Sequence, residues 1–365
     1  MVINEIQVPT LLLDKQKCIR NIDSMIEKAR ENNLVFRPHF KTHQSADVAN
    51  WFRQRGVDKC TVSSVDMAMY FIRNHWKDIT IAFPFNIREV ARLNQVDENV
   101  NINILVTEKE TAVELIKKLE RQVGVFIKID SGYHRAGVLP ENHSKIKSLL
   151  TLFKESPFLT FKGFLTHSGH TYQAASFREI EVIHQKSIAQ LTKLRESFNE
   201  MYPKMILSIG DTPSCTLMND FSGIDEIRPG NFVFYDVMQY HIGSCNLDQI
   251  ALAMACPIVE KHQDRNELVI YGGGIHFSKE HIEPDGYPVY GYVVKFENGN
   301  WHILDKANFL KSVSQEHGVV KVSESVYKSF AVGGVLGILP VHACMTVDLI
   351  SRILTTKGEN IFINR

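Results

Sequence analysis

Two periods alternate along the chain. Residues 14–32, "DKQKCIRNIDSMIEKAREN", place Ile19, Ile22, Ile26 and Ala29 at spacings of three and four, which predicts an amphipathic helix. Short apolar runs then follow one another: "LVFRP" (34–38), "KCTVS" (59–63), "ITIAF" (79–83), "NINILV" (101–106), "GVFIKID" (124–130), "TFKGFLTH" (160–167), "MILSI" (205–209) and "IDEIRPGNFVFYD" (224–236). Eight such runs, mostly separated by helix-like stretches, predict an α/β fold in which parallel strands close into a (β/α)8, TIM-like barrel. The longest connection, a polar helix around 174–200, is expected on the outside.

Beyond about residue 243 the pattern changes to β-like runs broken by Gly, Asn and Pro turns, as in "PIVEKHQDRNELVIYGGG" and "YGYVVKFENGNWHI". The expected organisation is a barrel over residues 12–243 and a C-terminal β-rich domain over 244–365, joined by residues 1–11. No heptad array, low-complexity segment or internal repeat interrupts it.

The barrel gives the polar positions an order, because active sites in this architecture gather at the carboxyl ends of the strands. Lys41 follows the first run, Ser63 the second, residues 130–135 the fifth, 167–172 the sixth and 210–214 the seventh, while Gly230 and Asn231 interrupt the eighth.

Composition narrows the partners. With 365 residues and 44% hydrophobic content the chain can bury a full core. Its 41 basic and 41 acidic side chains cancel, which removes the long-range field that a nucleic acid or an anionic membrane would need. The opening "MVINEIQVPTLLLDKQKC" has too few consecutive apolar residues for a signal-peptide core or a membrane span, so a cytoplasmic address is expected. Cysteines 18, 60, 215, 245, 256 and 344 form no CxxC pair and read as reduced thiols.

Two short stretches carry candidate chemistry. In "RPHFKTH", Lys41 becomes a Schiff-base nucleophile if burial or neighbouring charge from Arg37, His39 or His43 lowers its pKa; a solvated loop lysine is the competing reading. In "LPVHACMTVDL", His342 and Cys344 are two apart, so on an extended segment both would face one side and could grip a metal ion. Imidazole with thiolate favours zinc, and a buried thiol beside a core histidine is the alternative.

Seven segments in order, "RPHFKTH", "IDSGYHRAGV", "LTHSGHTY", "GDTPS", "EIRPGNFVFYD", "SQEHG" and "PVHAC", resemble the motifs of the D-serine dehydratase and D-threonine aldolase family, alanine-racemase-type (fold type III) pyridoxal-phosphate enzymes. The resemblance runs from about residue 8 to about residue 350. It implies a pyridoxal-5'-phosphate barrel of the alanine racemase N-terminal type followed by a β-domain, working as a homodimer on a small D-amino acid. Lys41 matches the cofactor lysine, His167 the imidazole laid against the pyridine ring, and Arg135 the arginine facing the phenolic oxygen. Tyr172 is expected to close the site, and Thr212, Gly230 and Asn231 to bind the phosphate, although Gly210, Pro213 and Pro229 could simply shape turns. Arg228 either faces the pyridine nitrogen or pairs with Glu226. His342 and Cys344 match the metal pair of the D-serine dehydratase branch, with Glu316 or His317 of "SQEHG" as candidates to support it.

Two departures are visible. Gln44 stands where many members carry a basic residue, and the loop around "VHAC" often begins with asparagine in the family. The implied reaction is loss of water from a D-β-hydroxy amino acid, giving a keto acid and ammonia. The alternatives are Cα–Cβ cleavage to glycine and an aldehyde, racemisation, and a non-catalytic carrier of the cofactor.

Overall fold

The computed structural model describes residues 2–297 and 300–364. Contacts divide the chain into two interleaved units, one of residues 24–41 and 49–230, the other of residues 1–23, 42–48 and 231–365. The helix predicted over 14–32 runs Lys15–Glu31, started by the Asp14 carboxylate, which accepts from the amides of Gln16 and Lys17 at 2.9 and 3.0 Å. Its buried stripe is Cys18, Ile22, Met25 and Ala29, with Ile19 and Ile26 at the margin.

The first unit is the predicted α/β barrel. Its strands are Val35–Phe36, Lys59–Val62, Asp78–Pro84, Asn101–Val106, Val123–Ile129, Leu159–Thr166, Ile206–Ile209 and Glu226–Ile227, in an 8-stranded parallel sheet whose first member pairs with its last. Strands buried on both faces read as continuous apolar runs, and Val123–Ile129 is buried at every position. Leu105, Phe126 and Leu165 form a packed cluster between neighbouring strands. The outer helix is Phe177–Phe198, capped by Ser176, with Ile180, His184, Ser187, Leu191, Leu194 and Phe198 on its buried face.

Across the seam of the barrel the backbone hydrogen bonds run from Val35 N to Asp225 O, Arg37 N to Ile227 O and His39 N to Pro229 O, at 2.8, 3.0 and 2.9 Å. The first and last strands have two residues each, less than the runs 34–38 and 224–236 predicted. Pro38 and Pro229 have no amide to donate, and beyond Asn231 the chain winds into a 3-10 turn rather than extending. Between the first and second strands only one parallel bridge remains, His39 to Thr61.

Side chains add to these bonds. Arg37 Nε donates to Glu226 Oε2 and its Nη1 to Asp78 Oδ1, both at 2.6 Å. The other oxygen of Glu226 accepts from Ser208 Oγ at 2.7 Å, and Thr61 Oγ1 donates to the Arg37 carbonyl at 2.9 Å. Arg37 and Glu226 are buried. Desolvating each ion costs several kcal/mol, which the hydrogen bonds from Arg37 Nε, Arg37 Nη1 and Ser208 Oγ offset.

The second unit is the expected β-rich domain, built on a 10-stranded sheet. Leu252–His262 pairs on one side with Val335–Pro340, which continues through Gly291–Glu297, Phe309–Val313, His317–Lys321 and Glu267–Tyr271. Glu267–Tyr271 returns to the far half of Leu252–His262, beyond a register shift between Ile258 and Glu260, and closes the ring. Thr10–Leu13 joins the sheet between Leu252–His262 and Arg352–Thr355. No helix among the described residues is long and apolar enough to cross a membrane.

The seam generates a test. Glu226→Gln keeps the shape but takes from the buried Arg37 one of its two carboxylates, leaving Asp78, and from Arg228 its nearest one, so urea unfolding should show a loss of about 3 kcal/mol. Lys328→Ala, which removes the exposed pair with Glu324, should stay within about 0.5 kcal/mol of the parent. Equal effects of the two would show that the buried pair does not hold the barrel shut.

Candidate active site

In the barrel unit the site begins with an aromatic anchor. Phe40 is buried among Phe52, Phe71 and Trp76, with ring centroids 5.4, 4.9 and 4.8 Å away, and the 3-10 turn Phe40–Thr42 that follows the first strand leaves Lys41 exposed. The neighbours expected to tune Lys41 are otherwise engaged: Arg37 serves the seam, and burial holds His43 neutral with a pKa of about 3. The charges of Lys41, Arg135 and Arg228 instead act together on His167.

His167 Nδ1–H donates to the carbonyl of Gly210, which fixes the tautomer with its lone pair on Nε2. Burial, with help from those three cations, lowers its pKa to about 3, so the ring is neutral over the whole physiological range. Arg228 is buried beneath this end of the barrel, and burial lowers its pKa to about 10, still protonated at neutral pH. Its Nε donates to Ser208 Oγ and its Nη2 to the Thr166 carbonyl, each at 2.6 Å; Glu226 Oε1 is 4.0 Å away, a weaker contact than the ion-pair reading required.

Arg135 is exposed, with its guanidinium 4.9 Å over the ring of Tyr133. Asp130 ties down its own loop by accepting from the amides of Gly132 and His134, both at 3.0 Å. Tyr172 Oη accepts from the Thr212 amide at 3.3 Å, so the tyrosine is joined to the predicted phosphate turn. That turn is shaped by Asp211, whose carboxylate accepts from Ser214 N at 2.8 Å and Thr171 Oγ1 at 2.9 Å. Ser214 Oγ is buried in the same turn, beside the Asp211 carboxylate. Gly230 follows Pro229, whose carbonyl accepts from His39 N at 2.9 Å.

The second unit carries the remaining predicted residues. His342 and Cys344 do not lie on an extended segment as expected: the strand ends at Pro340, His342 is the N-cap of helix Ala343–Asp348, and Cys344 is its second residue. The sulfur is 3.3 Å from Thr42 Oγ1 and 3.8 Å from Asn231 Nδ2. Asn231 also donates to Asp236 Oδ2 at 2.6 Å, so its side chain turns toward the thiol, and its Oδ1 is buried without a partner among the described residues.

Asp236 is the hub of this cluster. Fully buried, it accepts from Asn231 Nδ2, from the Ala343 amide at 2.9 Å and from the Gln239 amide at 2.9 Å. Burial raises its pKa. Glu280 contacts His342 Nδ1. Burial opposes a charge on His342, but hydrogen bonds to Cys344 and Glu280 outweigh it and push the imidazole pKa up to about 11. The cluster therefore favours positive charge at this point, whether a proton or a metal ion that displaces it. Among the described residues no three or more His, Cys, Asp or Glu side chains are grouped to hold a metal, so His342 and Cys344 are a candidate pair and form no complete centre by themselves.

Thr42, Asp236 and Glu280 were missed in the sequence. Asp236 had a usable signal, an acidic residue three before Gln239 at a helix start. Glu280 had none, being an exposed loop residue 62 positions from its partner. The "SQEHG" segment acts through its backbone: the carbonyls of Ser314, Gln315 and Glu316 accept from the amides of Gly274, Ile275 and Gly272 at 2.7, 3.2 and 2.8 Å.

Two family models match the chain. Residues 13–237 match the alanine racemase N-terminal domain, and residues 251–356 match the putative serine dehydratase domain. A D-serine dehydratase of Dictyostelium discoideum is 26% identical, the match covering 99% of this chain and 96% of that one. A 3-hydroxy-D-aspartate aldolase of Paracoccus denitrificans (strain Pd 1222) is 24% identical over 95% of this chain and 87% of its own. Among solved structures, a cysteine-to-alanine mutant of D-threo-3-hydroxyaspartate dehydratase in the metal-free form superposes with a TM-score of 0.92 at 21% identity, covering 100% of this chain and 99% of the other. With more than half of its length matched by that first domain, the chain belongs to the alanine racemase N-terminal domain family.

Proposed function

We propose that this chain, a pyridoxal-phosphate-dependent lyase by its family, is a zinc-assisted dehydratase of a small D-β-hydroxy amino acid, of which D-serine is the simplest. One observation carries the reading: Lys41 is followed directly by Thr42, whose hydroxyl stands 3.3 Å from the sulfur of Cys344, so the covalent chain itself leads from the amine to the metal pair.

When bound, pyridoxal phosphate supplies an electron sink for charge released at the substrate Cα, and zinc supplies a Lewis acid for the β-hydroxyl. Lys41 Nζ would be the covalent anchor of the cofactor and, as a free amine, the base for the proton at Cα. The Thr212 amide and the Gly230 turn hold the phosphate. His167, neutral and fixed by Gly210, offers a flat face without adding charge, while Arg228 keeps a nitrogen that faces it unprotonated. Arg135, exposed over the Tyr133 ring, would offer its charge to the cofactor's phenolic oxygen. His342 and Cys344 hold the zinc, with Asp236 fixing the start of their helix. Hydroxide is a poor leaving group, which is why a metal at the β-oxygen separates this chemistry from racemisation.

Cleavage of Cα–Cβ to glycine and an aldehyde is the second reading, favoured by the 3-hydroxy-D-aspartate aldolase among the relatives. Product analysis separates the two: D-serine should yield a keto acid and ammonia, the rate should vanish on chelation, and zinc should restore it. Glycine and an aldehyde from D-threonine, with no keto acid from D-serine, would replace the dehydratase by the aldolase.

Two variants test the roles. Lys41→Ala should lose at least about 100-fold in rate, and borohydride should no longer fix the cofactor to the protein. Cys344→Ala should lose zinc while retaining the visible absorbance of the bound cofactor; simultaneous loss of both would contradict separate roles for the amine and the thiol.

A further inference from the structure

The loop that carries Glu280 is built more tightly than an exposed ion pair requires. Ser278 sits at φ 71°, ψ −179°, a region that glycine alone enters without strain. Its amide donates to Gly274 O at 2.9 Å, and its hydroxyl accepts from the Glu280 amide at 3.2 Å, so the strained residue sets the direction in which Glu280 leaves the turn. Upstream, a Cβ on Gly273 would lie 2.6 Å from the carbonyl oxygens of Ser314 and Gln315, which is why this stretch admits no side chain there. Thr346 Oγ1 donates to Phe277 O at 3.3 Å and ties the loop to the helix bearing Cys344. Exposed pairs contribute little to folding, so stability alone does not account for the strain.

We propose that Glu280 is a positioning residue for the metal: it holds Nδ1–H of His342, fixes that tautomer and ring rotation, and presents Nε2 to the zinc beside Cys344. The inference rests on the reading of His342 and Cys344 as metal ligands. A carboxylate behind an imidazole also makes its free nitrogen a stronger donor, so the effect appears in metal affinity.

The test uses the purified full chain with its cofactor, stripped of metal and titrated with zinc against a chromophoric chelator. Glu280→Ala should weaken zinc binding about 10–100-fold, Glu280→Asp should recover most of it, and the visible spectrum of the cobalt(II)-substituted protein should shift in the alanine variant alone. Cofactor absorbance and melting temperature should not change. Zinc binding by Glu280→Ala within threefold of the parent, with an unshifted cobalt spectrum, would overturn the role of Glu280 and leave the metal pair standing. Equal zinc binding by the parent and His342→Ala would remove the metal site itself, and this inference with it.

Discussion

The buried pair of Arg37 and Glu226 is the constraint on which the barrel unit rests. Prolines cut the first and last strands to two residues, so the closing pair has three backbone hydrogen bonds and a buried side-chain pair beside them. One guanidinium with its two carboxylates, plus the Ser208 and Thr61 hydroxyls, joins the seam to strands on either side. The positions of Lys41, four residues beyond Arg37, and of Arg228, two beyond Glu226, follow from that closure. Phe40, pinned by three aromatic rings, then sets where the lysine turn can lie.

The second unit organises itself around charge of the opposite sense. Asp236, Glu280 and Cys344 act on one imidazole, and Asp236 holds the Ala343 amide next to it while the Asn231 amide links Asp236 to the Cys344 sulfur. Where the barrel cluster keeps His167 neutral by burial and neighbouring cations, this one makes His342 cationic by hydrogen bonding to acceptors. The same residue type is thus prepared for two tasks, one as an uncharged surface and the other as a place for positive charge.

Much of this was legible in the sequence, for physical reasons. Parallel strands covered on both faces must be apolar throughout, so all eight barrel runs stood out from the helices between them. The strand-end residues were legible because short loops place them in order. What could not be read is pairing at long range: Arg37 with Glu226 across 189 residues, and His342 with Glu280 across 62. The spacing of His342 and Cys344 was visible, but its geometry was not, since a helix starting after Pro340 gives the pair its arrangement in place of a strand. The role of "SQEHG" was hidden for another reason, because backbone carbonyls carry it and side-chain identity does not report them.

The strand Thr10–Leu13 has a consequence for synthesis. Its leucines 11, 12 and 13 are among the most deeply buried residues, yet both sheet neighbours, Leu252–His262 and Arg352–Thr355, lie far downstream. At roughly 5–20 residues per second, the ribosome leaves this apolar stretch without its partners for some tens of seconds. The nascent chain therefore carries an unmatched apolar strand until its two partners emerge.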